Sequence, residues 1–126
     1  MPPSARSSPL PESADSRGRR AEQDAAAALC REGWTILAER ARTPAGEIDL
    51  IAEREGLLTF IEVKARPSLR DAAHALTPRQ QARIMAAAEI WLARNPGHGA
   101  AGMRFDVLLV AADGTIRRIA DAFRGW

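Results

Sequence analysis

With a single cysteine, Cys30, the sequence can form no intrachain disulfide and has no cysteine pair for a metal site. That fits a reducing, cytosolic setting, and the alanines and leucine before Cys30 predict that it packs within a helix. The only histidines, His74 and His98, lie isolated in loop-like sequence and make no zinc site. Tyrosine is missing and there are only three Phe and three Trp, so there is no aromatic platform for stacking bases. Trp91 is expected in the core, and Trp34 and Trp126 are expected to pack locally. Zinc-finger spacing and a phosphate-cradling glycine loop are both absent. The longest apolar runs, such as FDVLLVAA from Phe105, are far too short to span a bilayer. Charge of one sign is scarce as well. The net charge of +2 permits a polyanionic partner without demanding one.

What remains is one domain's worth of chain, 126 residues. Residues 1–16 are rich in Pro and Ser and carry no signal-like apolar stretch, which predicts a disordered tail ahead of a single domain over 17–126. RRAEQDAAAALCR, Arg19 to Arg31, predicts a helix stopped at Gly33. A strand from Thr35 follows, then two more, EIDLIA and LLTFIEVKA, joined by a tight turn at Glu55-Gly56. After the loop ARPSLRDAAHA, Thr77-Pro78 starts a second helix with an apolar stripe at Ile84, Ala88, Trp91 and Leu92. MRFDVLLVA and TIRRIA, around Asp113-Gly114, are the last strands. The order predicts an α/β domain with one mixed sheet of about five strands flanked by helices.

The second and third strands carry charge where a buried hairpin should not. If the hairpin turns at Glu55-Gly56, Ile51 faces Phe60, Leu50 faces Ile61, Asp49 faces Glu62 and Glu47 faces Lys64. Strict alternation then places Ile48, Leu50, Ile61 and Val63 on one face and Asp49, Glu62 and Lys64 on the other, beside Ile51 and Phe60. Two directly opposed carboxylates on a partly covered face need compensation, and Lys64 supplies only one charge. A hard divalent cation, Mg²⁺ or Mn²⁺, would resolve this, would lower the pKa of water and would stabilise charge on a phosphoryl oxygen. A neighbouring lysine can hold or activate that water. On the first helix Glu22 lies within about 40° of the stripe through Ala26, Leu29 and Gly33, and so points toward the sheet.

Asp49-x12-Glu62-x-Lys64 after a helix bearing Glu22 resembles the PD-(D/E)XK nuclease superfamily. The blocks GRRAE from Gly18, GEIDLIA from Gly46, FIEVKAR from Phe60, RFDV from Arg104 and DAF from Asp121 resemble, more closely, the YraN-like family of predicted endonucleases. They cover nearly the whole chain after the tail. The resemblance implies a restriction-endonuclease-like core similar to archaeal Holliday-junction resolvases, in a bacterial cytoplasmic protein. It implies a divalent metal at Asp49 and Glu62, with Lys64 beside it and Glu22 supporting.

The chain departs from the family at Gln80, where a lysine is frequent; Gln80 can reach substrate or water only without charge, with Arg79 and Arg83 nearby. Arg42 and Arg66, at strand ends around the acidic residues, are candidates to pair with phosphates. Asp106 is expected to anchor structure rather than bind metal. The expected activity is metal-dependent hydrolysis of phosphodiesters, with DNA favoured over RNA and a branched substrate over a defined sequence. Cutting two strands would favour a homodimer. The alternative is a nucleic-acid-binding module of the same fold with reduced catalysis.

Overall fold

A computed structural model of the chain describes residues 13–69 and 76–124. Most of the expected tail, part of the loop after the third strand, His74 and Trp126 lie outside the described residues. The elements follow the predicted order: α1 (Ala14–Arg31), β1 (Thr35–Thr43), β2 (Gly46–Arg54), β3 (Leu57–Arg66), α2 (Pro78–Arg94), β4 (Gly102–Ala111) and β5 (Ile116–Phe123). The five strands form one mixed sheet in chain order, with β3 and β4 parallel and every other neighbour antiparallel. A parallel pair needs a crossover, and α2 supplies it. With a helix on each face, this is the restriction-endonuclease-like arrangement that the sequence blocks implied.

Local chemistry sets the element ends. The first helix begins earlier than its alanine run suggests, because the Ser13 side chain accepts a hydrogen bond from the Ser16 amide and caps it. It ends where Gly33 takes φ +90°: the Trp34 amide donates to Leu29 O and the Gly33 amide to Cys30 O, a Schellman closure. Glu55 and Gly56, with φ of 52° and 82°, make the two-residue turn between β2 and β3, whose positive angles match the twist of the strands.

Two apolar layers result. On one face α2 places Ile84, Ala87, Ala88 and Trp91 against Ile51, Leu58, Phe60 and Phe105. The Phe60 ring meets Trp91 edge-on at 5.9 Å and stacks on Phe105 at 5.6 Å. On the other face α1 places Ala21, Ala25 and Leu29, a stripe at four-residue spacing, against Leu50, Ala52, Ile61, Leu108 and Val110. Cys30, one residue past that stripe, is exposed rather than packed in the helix interface. Trp34 is buried beneath the Arg54 guanidinium, 4.5 Å from the ring centroid.

One strand departs from simple alternation. Ile48 belongs to the α2 layer with Ile51, not to the α1 layer with Leu50. The pleat is therefore broken at Asp49. In the β1–β2 register Arg40 stands opposite Asp49, and Arg40 has φ of 50°, so β1 is irregular at the same level.

Candidate metal-assisted nuclease site

The β2–β3 ladder runs from Arg54↔Leu57 to Leu50↔Ile61 and goes no further. The turn fixes that register, so Asp49 and Glu62 come next in it, as the sequence predicted. Here the strands part. The Val63 amide donates to the Asp49 Oδ2 at 2.8 Å, so a side chain takes the place of a ladder carbonyl. β3 continues beside β4 through Arg66↔Ala111, which keeps Glu62 and Lys64 on a rigid strand after β2 has left it. This parting is why Glu47 does not face Lys64 as expected. Glu47 pairs across β1–β2 with Arg42, Oε2 to Nε 3.6 Å, and Lys64 Nζ lies 3.3 Å from Glu62 Oε1.

The carboxylates of Asp49 and Glu62 meet. Burial, followed by the negative charge of Glu62, pushes the Asp49 carboxyl up from 3.8 to about 7, with a smaller contribution from the charge of Glu22. The hydrogen bond from Val63 opposes this shift and is outweighed. A hydrogen-bonding contribution from Glu62 adds to the rise, as the smallest of its causes. Glu62 is only 6% exposed and Lys64 is largely covered, so the group is poorly screened by water.

Glu22 approaches from α1 and is half-buried. Its Oε2 accepts from the Arg40 Nε at 2.8 Å. Among the described residues no set of three His, Cys, Asp or Glu side chains converges as a metal-binding group. Asp49 and Glu62 are the two carboxylates that could hold a metal here, with Glu22 nearby and tied to Arg40. Asp49, which keeps its proton to about 7, and the neighbouring Glu62 fit a hard divalent cation, whose charge would favour the ionised form of Asp49; Mg²⁺ needs only one or two protein carboxylates and completes its shell with water.

The arginines and Gln80 are distributed more widely. Arg66 ends β3, two residues past Lys64, and its Nη1 donates to Ala65 O at 2.8 Å. Arg42 is 89% exposed and contacts Glu47. The Arg83 stem lies over Gly46 at the β1–β2 turn, where an added Cβ would come within 2.9 Å of Arg83 Cδ. Arg79 is exposed in the first turn of α2. Gln80 is turned back on its own helix: its Oε1 accepts from the Thr77 amide at 2.9 Å while its amide donates to Thr77 Oγ1 at 3.1 Å, a closed capping box. Its stripe position suggested an inward-facing side chain, but the unsatisfied amide at the helix start claims it.

Sequence reasoning missed Arg40, the partner of Glu22. The signal was present in the register, since a basic residue in β1 opposite Asp49 is a natural neighbour for the acidic group. Asp106 is the structural anchor it was expected to be. At 1% exposure it accepts from Arg104 Nε at 2.9 Å and from the Asp121 amide at 2.8 Å, bridging the irregular step between β4 and β5.

The comparisons with known proteins agree with the sequence blocks. The model of the uncharacterised protein family UPF0102 matches residues 21–110. A UPF0102 protein of Granulibacter bethesdensis is 55% identical over 113 residues, 86% of this chain and 72% of the relative. One from Rhodopseudomonas palustris is 52% identical over 106 residues, 84% of this chain and 82% of the relative. One from Bradyrhizobium diazoefficiens is 53% identical over 106 residues, 84% of this chain and 80% of the relative. These names state family membership and no activity. No helix among the described residues is long and apolar enough to cross a membrane.

Proposed function

The chain belongs to the uncharacterised protein family UPF0102, the YraN family that its sequence blocks resemble, and on the geometry of its site we propose that it is a divalent-metal-dependent endonuclease acting on DNA. The observation that carries this reading is the pairing of half-buried Asp49 with buried Glu62, with Asp49 held near 7 and Lys64 Nζ 3.3 Å from Glu62. Bringing two carboxylates together under cover costs folding free energy, and strongly shifted groups such as Asp49 cluster at functional sites.

Asp49 and Glu62 would hold Mg²⁺ or Mn²⁺, which when bound supplies positive charge at a phosphoryl oxygen and a lowered pKa for water. Lys64, 3.3 Å from Glu62, would donate a hydrogen bond to the attacking water and offset negative charge developing on the phosphoryl oxygens. The Val63 amide fixes the Asp49 carboxylate by binding its Oδ2. Glu22 acts through Arg40 and through its charge on Asp49. Branched DNA is the proposed substrate and the bacterial cytoplasm the proposed compartment.

A non-cutting nucleic-acid-binding module is the second reading, favoured by Gln80, which the helix cap occupies at the position where the family resemblance led to the expectation of a lysine. The deciding experiment is a cleavage panel of single-stranded, duplex, flapped and four-way DNA with Mg²⁺ or Mn²⁺, run beside Asp49→Ala. Divalent-dependent cutting by the wild type alone supports the nuclease. Binding without cutting under either ion supports the second reading. Neither binding nor cutting leaves the acidic pair a structural ion site.

A further inference from the structure

Beside the site, sharing α1 and β3 with it, lies a cleft of about 330 Å³. Arg17, Arg20 and Asp24 line it from α1, at three- and four-residue spacing on one helix face. Arg66 closes it from the end of β3. Its floor is apolar and includes Ala65 and Val110, which pair across the two parallel strands. The cleft therefore sits at the carboxyl ends of β3 and β4, where open α/β sheets commonly receive ligands.

Three arginines, Arg17, Arg20 and Arg66, line this cleft beside Asp24. The packing of α1 on β3 brings them to one place, and Arg17 and Arg20 keep other partners as well. A second cleft, lined by Glu32, Glu53 and Glu55 around Arg54, has the opposite sign and would repel phosphate. Arg17 and Arg20 are exposed at the rim, while Arg66 is half-buried. Arg66 follows Lys64 by two residues, about 7 Å along a strand, comparable with the length of one extended nucleotide. A ligand with phosphates at regular intervals and apolar faces between them matches the three guanidiniums and the alanine-valine floor. The cleft is at the small end of ligand sites, which suits one strand rather than a duplex.

We propose that this arginine-lined cleft is a phosphate-binding subsite for a single nucleic-acid strand, guiding the strand that continues from the bond at Asp49, Glu62 and Lys64. The inference rests on the nuclease reading for its direction, but its contacts are independent of metal and of cleavage. Guanidiniums on phosphates give position and affinity without reading sequence, so the subsite is sequence-tolerant.

The test is anisotropy of a labelled single-stranded oligonucleotide with the full chain, titrated in EDTA across a salt series. Wild type, Arg17→Gln with Arg20→Gln, Arg66→Gln, the charge-keeping Arg17→Lys with Arg20→Lys, and Arg31→Gln as an exposed control are compared. Each lost phosphate contact lowers the slope of log affinity against log salt by about 0.7 for a single strand. The double Gln variant is expected to lose about 1.4, Arg66→Gln a smaller amount of the same sign, and the Lys pair and Arg31→Gln little. If the double variant does not fold, Arg66→Gln decides.

Wild-type binding with an unchanged slope in the Gln variants overturns the subsite and leaves the nuclease reading standing. Cleft-dependent binding by a wild type that never cuts upholds the subsite and overturns the nuclease. A wild type that binds no oligonucleotide overturns the subsite and leaves the nuclease reading to the metal-dependent cleavage panel.

Discussion

The Val63 amide donates to the Asp49 carboxylate at 2.8 Å, and this single bond lies where β2 and β3 separate. A regular ladder would pair that amide with a backbone carbonyl and leave Asp49 pointing off one face. Here the carboxylate turns in between the strands, reaches Glu62, and is covered. The raised pKa of Asp49 follows from that position: burial outweighs a hydrogen bond that alone would lower it.

The metal-free protein should therefore lose stability as pH rises. The unfolded chain releases the Asp49 proton near 3.8, whereas the folded chain keeps it to about 7. A group raised in the folded state contributes its stability below the unfolded pKa and loses it through the folded pKa. From this group alone, stability falls between about pH 4 and 7 and then levels, by at most about 4 kcal/mol. Denaturant melts in EDTA across that range should show the slope. Asp49→Asn should flatten it, and Mg²⁺ at pH 8 should recover stability in the wild type but not in Asp49→Asn. An equal slope in both proteins would remove Asp49 as its source.

Lys64→Met should separate binding from turnover. The lysine is 3.3 Å from Glu62 but is no ligand, so a Mn²⁺ titration should give a dissociation constant within a few-fold of wild type. Cleavage of branched DNA should fall by about 10²–10⁴-fold, the usual contribution of a positioned proton-handling group. Single-turnover cleavage at wild-type rate would show that Lys64 only balances charge.

Much of this arrangement was legible in the sequence, for identifiable reasons. Glu55-Gly56 marks a tight turn in the sequence, the structure makes it a two-residue turn with positive φ, and that turn fixes Leu50 against Ile61 and brings Asp49 to Glu62. Thr77-Pro78 fixes the start of α2. What escaped came from side chains competing with the backbone. Asp49 captures the Val63 amide, which ends the ladder, moves Ile48 to the other face and leaves Glu47 to Arg42. Alternation rules assume that backbone pairs with backbone, and so cannot foresee the break. The cleft of Arg17, Arg20 and Arg66 also escaped, because two segments more than forty residues apart must pack before its charge is concentrated.

Asp106→Ala should damage the fold and spare the site. The carboxylate is almost fully covered and satisfies both Arg104 and the Asp121 amide, whose residue has φ of 53°. Removing it leaves a cation and a backbone donor without their partner, a loss of about 3 kcal/mol. Chemical denaturation measures that loss. Mn²⁺ affinity of the folded fraction should remain at the wild-type value, and a parallel loss of metal binding would place Asp106 within the metal's reach.

Gln80 distinguishes a cap from a contact. Its side chain accepts from the Thr77 amide while its own amide donates to Thr77 Oγ1, so both ends of the box are engaged. Gln80→Glu retains an acceptor at the same place and adds charge favourable to a helix start, and should hold or slightly raise stability. Gln80→Ala should lose about 1 kcal/mol. Gln80→Lys also breaks the box but supplies a cation at this position. If the position still faces substrate, the lysine variant should bind oligonucleotide more tightly, with a salt slope steeper by about 0.7, despite being less stable than wild type. If the helix cap is the residue's whole role, Ala and Lys should be equally destabilised and identical in binding.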